Sequence, residues 1–197
     1  GMAKNKKQFQ DVADFSQLEQ AQNKYELMLL MSPGVTEDQR SKSLNEHISL
    51  LEQKGAKVFH VDDWGKRDMA YTIKGQDAAY YVTYYFTFSD TKFLEEFDEL
   101  LRLDPAVLRH LVIKRPENFE IQKFESDEEG ETKQNKPRSE LNIADVDYKN
   151  LKVLNRYTSR YGKIVARHYT KVTLKQQKKL SQEIKRARHV ALLPFVK

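Results

Sequence analysis

Apolar positions recur along this chain with two periods, and they divide it into short elements. Tyr25 to Met31 is a near-continuous apolar run ended by Ser32-Pro33-Gly34, the pattern of a buried strand followed by a turn. Thr36 with Gln39 three residues on fits a capping box, and Leu44, His47, Ile48 and Leu51 then recur at helical spacing until Gly55. Lys57 to Ile73 alternates, with Val58 and His60 against Phe59 and Val61, and later Met69, Tyr71 and Ile73. Trp64-Gly65-Lys66-Arg67-Asp68 interrupts the alternation, which predicts a long, bent strand with a bulge at Gly65. A short Gly-containing turn leads to Ala78–Phe88, crowded with Tyr81, Tyr84, Tyr85, Phe86 and Phe88, and completes a hairpin. Phe93, Leu94, Phe97, Leu100 and Leu101 stripe a second helix over Thr91 to Leu103. Pro105 blocks its continuation, and Val107 to Lys114 is a last strand.

The order strand, helix, strand, strand, helix, strand is the ferredoxin-like split βαβ arrangement of the α+β class: a four-stranded antiparallel sheet with two helices on one face. The other face is expected to lie open to a partner. RNA-recognition motifs share this order and stack bases on sheet aromatics, but Ala78-Ala79-Tyr80-Tyr81-Val82 lacks their glycine-flanked aromatic string.

Beyond residue 124 the pattern changes. Glu125 to Asp147 has 8 acids and 3 bases among Ser, Gly, Asn and Pro, the composition of a solvated linker. A reach of roughly 25–30 Å follows from its length. Asp147 is expected to cap a helix with Leu151, Leu154 and Thr158 inward, ended by Gly162. Thr173 with Gln176 opens another, on whose inner stripe Leu180, Ile184, Ala187 and Ala191 recur. Such a small all-α basic module has a marginal core by itself and needs a partner or RNA to fold fully. At the other end, Phe9, Val12, Phe15 and Leu18 are spaced by three and suit either an amphipathic helix or a frayed arm. The expected organisation is an N-terminal arm (1–23), a ferredoxin-like domain (24–124), an acidic flexible linker (125–146) and a basic helical module (147–197).

Charge gives this division a chemical meaning. Tyr148 to Lys197 holds 14 Lys and Arg against the single acid Glu183, a formal +13, whereas the whole chain is only +5; residues 1–147 therefore carry −8. A cationic tail on an acidic body favours a polyanion, because each Lys or Arg at a phosphate releases condensed counterions. Docking of the tail on its own acidic body is the compatible alternative. With so few acids, pairing along the helix is expected to be unavailable. The expected RNA-binding residues are then Lys175, Lys178, Lys179, Lys185, Arg186 and Arg188, extended by Lys163, Arg167, His168 and Lys171 of the connecting loop. Lys66 and Arg67 at the bulge are lesser candidates.

Other chemistries find little support. The chain has no Cys, its five His form no ligand-spaced pair, and nucleophile elbows and phosphate-binding Gly loops are missing. Catalytic residues, cofactors, metal and small-molecule substrates are therefore not expected, and Asp62-Asp63 reads as turn chemistry. His47 reads as a partly covered structural histidine. No apolar run reaches the roughly 18 residues of a membrane span, so no membrane partner is expected and the protein should be cytosolic. Gly1 before Met2 reads as an expression scar.

Two stretches carry a family resemblance. Gly65-Lys66-Arg67-Asp68-Met69-Ala70-Tyr71-Thr72-Ile73 resembles the Gly-x-Arg-x-Leu-Ala-Tyr-x-Ile string of the bacterial ribosomal protein S6 family, with Met69 where Leu is usual. Asp147 to Leu151, Arg160 to Ile164 and, most specifically, Ile184 to Phe195 resemble the ribosomal protein S18 family. Departures stand at Val165-Ala166-Arg167-His168 for Leu-Pro-Arg-Arg, Tyr169-Thr170-Lys171 for Ile-Thr-Gly, Glu183 for a small residue and Val190 for Met. The resemblance implies a non-catalytic structural constituent of the small ribosomal subunit, a ribonucleoprotein component of translation in the cytoplasm. Its implied partners are the platform (central domain) of the small-subunit rRNA, neighbouring ribosomal proteins and the chain's own other module, as a fusion protein of the pair. Binding of a messenger leader as a translational autoregulator and a non-ribosomal RNA-binding adaptor are the alternatives.

Overall fold

A computed structural model of the chain describes residues 23–121, 141–159 and 162–196. The arm with Phe9, Val12, Phe15 and Leu18, and the linker as far as residue 140, lie outside the described residues. The chain forms two compact units, residues 1–121 and 122–197.

In the first unit the elements are β1 (Asn23–Met31), α1 (Glu37–Gln53), β2 (Lys57–Ile73), β3 (Gln76–Phe88), α2 (Thr91–Leu103) and β4 (Val107–Arg115). Strand order is β2-β3-β1-β4 and every pairing is antiparallel, the expected ferredoxin-like sheet. β1 is hydrogen-bonded on both sides and buried almost throughout, which is why its sequence runs apolar instead of alternating. Tyr25, Leu27, Leu29 and Met31 of β1 join Val82, Tyr84, Phe86 and Phe88 of β3 on one face. There they pack with Ile48 and Leu51 of α1 and Phe93, Phe97 and Leu101 of α2, so both helices cover the same side. The capping box forms as expected: Thr36 Oγ1 accepts from Gln39 N at 3.2 Å, and Thr36 N donates to Gln39 Oε1 at 2.8 Å.

The long hairpin is bent where the sequence placed its bulge. Register slips between Asp63 and Gly65; Gly65 adopts φ +74° and donates its N–H to Asp63 Oδ1 at 2.9 Å. Asp63 thereby shapes the turn. A second slip, at His60 with φ +39°, had no glycine to announce it. Further out, Met69–Thr72 stand opposite Asp77 alone on β3. From this bulge the Tyr71 hydroxyl meets Arg109 Nη1 of β4 at 2.7 Å, although β2 and β4 are the two edge strands.

The sheet's second face is not open, contrary to the expectation from sequence. Glu26, Met28, Leu30, Tyr81, Thr83 and Tyr85 are all at most 2% exposed. Trp64 stacks on Tyr81 with centroids 6.0 Å apart, and Phe119, beyond β4, stacks on Tyr85 at 6.2 Å. Arg115 holds the buried Glu26 carboxylate through Nε and Nη2 at 3.2 and 3.0 Å, with its guanidinium over Phe119. The hairpin bend and the turn of the chain after β4 bring these groups against the sheet, long-range placements that local periodicity does not encode.

The second unit holds a 3₁₀ turn (Ile143–Asp145), α3 (Leu151–Asn155), α4 (Arg167–Thr170) and α5 (Leu174–His189). α3 is one short turn and stops well before Gly162. Asn150 precedes it, and Asp147 instead accepts from Lys149 N at 3.0 Å while pairing with Lys149 Nζ at 2.9 Å. Asp147 therefore closes a turn on its neighbour and does not cap the helix. The chain after α3 forms a narrow loop held by the Thr158–Ile164 bridge and by Val165 N donating to Tyr157 O at 2.8 Å. Leu180, Ile184 and Ala187 are buried as expected. Ala191 is buried too, but beyond the helix: it takes φ +55°, and Leu192 N donates to Ala187 O at 2.9 Å, closing a Schellman motif without glycine. Leu141, expected as linker, accepts from Gln176 Nε2 at 2.9 Å and so belongs to this unit's structure.

Candidate nucleic-acid interface

α5 sets the geometry of the basic module. Its capping box forms at Thr173 and Gln176, at 3.1 and 2.9 Å, fixing where the helix begins and hence which side each lysine takes. Leu180, Glu183, Ile184 and Ala187 form the buried stripe. Lys175, Lys178 and Lys185 follow helical spacing on the opposite side and are exposed. In the loop before α5, Lys163, Arg167, His168 and Lys171 are exposed as well. None of these seven side chains pairs with a carboxylate among the described residues.

Three of the expected contacts are otherwise engaged, and the expectation that helix pairing is unavailable is corrected. Glu183 is fully buried; its Oε1 receives Lys179 Nζ at 3.0 Å and Arg186 Nη1 at 2.9 Å, and its Oε2 accepts from Tyr148 N at 3.0 Å. A lone acid four residues after Lys179 and three before Arg186 is ideally spaced, so one carboxylate serves two cations. The one signal that could have exposed this network was that spacing. Arg188 is half-buried and donates from Nη2 to the Gly162 carbonyl. Gly162 has φ +80°, and a side chain there would stand 3.1 Å from Phe195 O, so glycine is required twice. In the first unit Lys66 is exposed, while Arg67 is half-buried beside the Trp64 ring at 5.7 Å.

Among the described residues no group of three His, Asp or Glu could hold a metal ion, and no helix is long and apolar enough to cross a membrane.

A split βαβ domain followed by a helical module with a cationic face defines a two-part protein suited to a polyanion. The model for the ribosomal protein S6 family matches residues 24–114, and that for the ribosomal protein S18 family matches residues 142–193. The small ribosomal subunit protein bS6 of Thermoanaerobacter pseudethanolicus is 33% identical over 93 residues, covering 47% of this chain and 97% of that protein. Its counterpart in Clostridium botulinum strain 657 is 34% identical over 90 residues, 46% of this chain and 95% of the relative. A crystal structure of 30S ribosomal protein S6 from Thermotoga maritima is 27% identical with a TM-score of 0.45, covering 48% of this chain and 88% of that one. The chain belongs to the ribosomal protein S6 family and carries a ribosomal protein S18 domain after it. It is a structural, non-enzymatic constituent of the small ribosomal subunit in the cytoplasm, with ribosomal RNA and other ribosomal proteins as partners.

Proposed function

We propose that the chain binds the platform, the central domain of the small-subunit rRNA, as a covalently linked pair of ribosomal proteins. The observation that carries this reading is the exposed row Lys175, Lys178 and Lys185 on α5, opposite its buried stripe. With Lys163, Arg167, His168 and Lys171 in the preceding turn it offers phosphates a surface on which no cation pairs with a carboxylate among the described residues. Lys179, Arg186 and Arg188 serve chiefly to hold the module's own shape, and Lys66 and Arg67 are secondary contacts. We place the functional division at residues 24–124 and 147–197, joined by the acidic segment between them, whose last residues from Leu141 on fold with the second part. Docking of the two halves on each other within one chain is part of the same reading: tethering raises their effective concentration to about the millimolar range and keeps them one to one.

The test is binding of the full chain to a transcript of the rRNA central domain, compared with a random duplex of equal length, across a salt series. Tight, salt-sensitive binding with preference for the transcript is expected. Equal affinity for both RNAs in moderate salt would overturn the proposal. Crosslinking within purified small subunits then reads which RNA positions and which half-to-half contacts are present.

A further inference from the structure

We infer that the turn Arg167–Lys171 is a stacking platform for an unpaired RNA base, with Tyr169 as the ring the base lies on; this rests on the RNA-binding reading above.

Tyr169 is 69% exposed, in a unit that buries Tyr148 and Tyr157 completely or nearly so. Leu174 and Phe195 of the same unit are exposed too, but Tyr169 is the one flanked directly by cationic side chains, with His168 before it and Lys171 two residues on. The turn that carries the ring is held in position. α4 is a single turn anchored at its far end: Thr170 is fully buried, its hydroxyl donating to Arg167 O at 3.4 Å, and Val172 just beyond is buried. Gln177 of α5 donates to Val165 O at 3.3 Å and ties the approach to the same helix. The His168 ring lies nearly perpendicular to Tyr169 with centroids 5.0 Å apart, and Tyr169 stays 69% exposed beside it.

The charges around the ring suit a nucleotide, not an apolar protein partner. Arg167, His168 and Lys171 are all exposed, and no acid stands between Tyr148 and Lys178. Lys171 adopts φ +59°, a left-handed conformation that costs a non-glycine residue about 1 kcal/mol or more. The turn thus carries a cation where glycine would be easier. A base stacks on an aromatic face regardless of its identity, while flanking cations meet its phosphates, so stacking and charge together fit a single-stranded loop or bulge and not a paired helix.

The experiment uses the full chain, the rRNA central-domain transcript and a fully paired duplex of equal length, with wild type, Tyr169→Phe and Tyr169→Ala. For the transcript, Tyr169→Ala is expected to weaken binding roughly ten-fold or more with an unchanged salt slope, and Tyr169→Phe to retain most affinity. Duplex affinity should be the same for all three proteins. An unchanged thermal transition in Tyr169→Ala is expected from the ring's exposure and separates stacking from folding. If wild type prefers the transcript and Tyr169→Ala binds it equally well, the platform is overturned while the rRNA reading stands. An equal loss on duplex and transcript also overturns it, as it would assign the ring a general role. If wild type shows no preference for the transcript, the rRNA reading falls and takes the platform with it.

Discussion

The Glu183 carboxylate, buried in the basic module, accepts the backbone N–H of Tyr148 at 3.0 Å across 35 residues of sequence. The bond joins the turn at Tyr148, just ahead of α3, to the module's main helix. Because Lys179 and Arg186 converge on the same carboxylate, removing it strands two partly buried cations and a buried amide together. Breaking a buried pair by deleting one partner costs about 3–5 kcal/mol, a large share of what a module this small can hold. Glu183→Ala should therefore unfold the second unit preferentially. The expected readout is loss of hydrogen-exchange protection at Tyr148 and along α5, with β1 of the first unit unaffected. Unchanged protection at Tyr148 would show that the carboxylate is not the fastening.

Local signals and long-range ones separate clearly here. Both capping boxes, Thr36–Gln39 and Thr173–Gln176, and the Gly65 bulge could be read from a few adjacent residues, because their hydrogen bonds are made within those residues. Asp147 could not. A carboxylate before an apolar run suits a cap or a turn equally, and the nearby Lys149 decides for the turn. Tyr71 on Arg109, Trp64 on Tyr81 and Phe119 on Tyr85 join positions from 17 to 38 residues apart, so the face they help cover looked open in the sequence. In the candidate interface, residue type identified the cations. Which of them face outward depended on the helix start at Thr173 and on the single buried acid.

A histidine in the first unit makes its stability depend on pH. His47 is buried with Nε2 3.0 Å from Asp104 Oδ2, which also accepts from Ser43 Oγ at 2.6 Å, while Nδ1 has no hydrogen-bond partner among the described residues. Burial pushes its pKa below the ordinary value near 6.5; Asp104 and Glu46 oppose the shift, and His110 adds to it. The unfolded chain therefore takes up a proton at a higher pH than the folded one. Stability from this site is full above about pH 6.5 and falls as pH drops from there towards the lowered native value. Urea titrations at intervals from pH 5 to 7.5 should show His47→Gln losing part of the wild-type slope below pH 6.5. Parallel profiles for the two proteins would remove His47 as the cause.

Lys171 offers a test in which stability and binding move in opposite directions. Its φ of +59° suits glycine, so Lys171→Gly should stabilise the module by about 0.5–1 kcal/mol, net of the extra freedom glycine gains when unfolded. The same change deletes an exposed cation of the proposed RNA surface. Thermal unfolding should therefore rise slightly while affinity for the rRNA transcript falls and its salt slope shrinks by about one. A variant that gained stability and kept its affinity would exclude Lys171 from the interface.

The row on α5 carries the most direct charge test. Lys175, Lys178 and Lys185 are exposed, stand away from the buried stripe, and have no carboxylate partner among the described residues. Replacing all three with Gln keeps helix propensity nearly constant, so α5 should form as before and its circular dichroism should not change. Each phosphate contact contributes roughly 0.7–0.9 to the slope of log affinity against log salt, so a loss of about 2–3 in slope is expected for three contacts. The comparison that isolates geometry from net charge is Lys42→Gln, Lys57→Gln and Lys74→Gln in the first unit, which removes three exposed lysines of the same type elsewhere. That variant should keep nearly the wild-type slope, because long-range charge is screened over about 10 Å at 0.1 M salt. Equal losses in the two triple variants would mean that total charge, and not the α5 row, governs RNA binding.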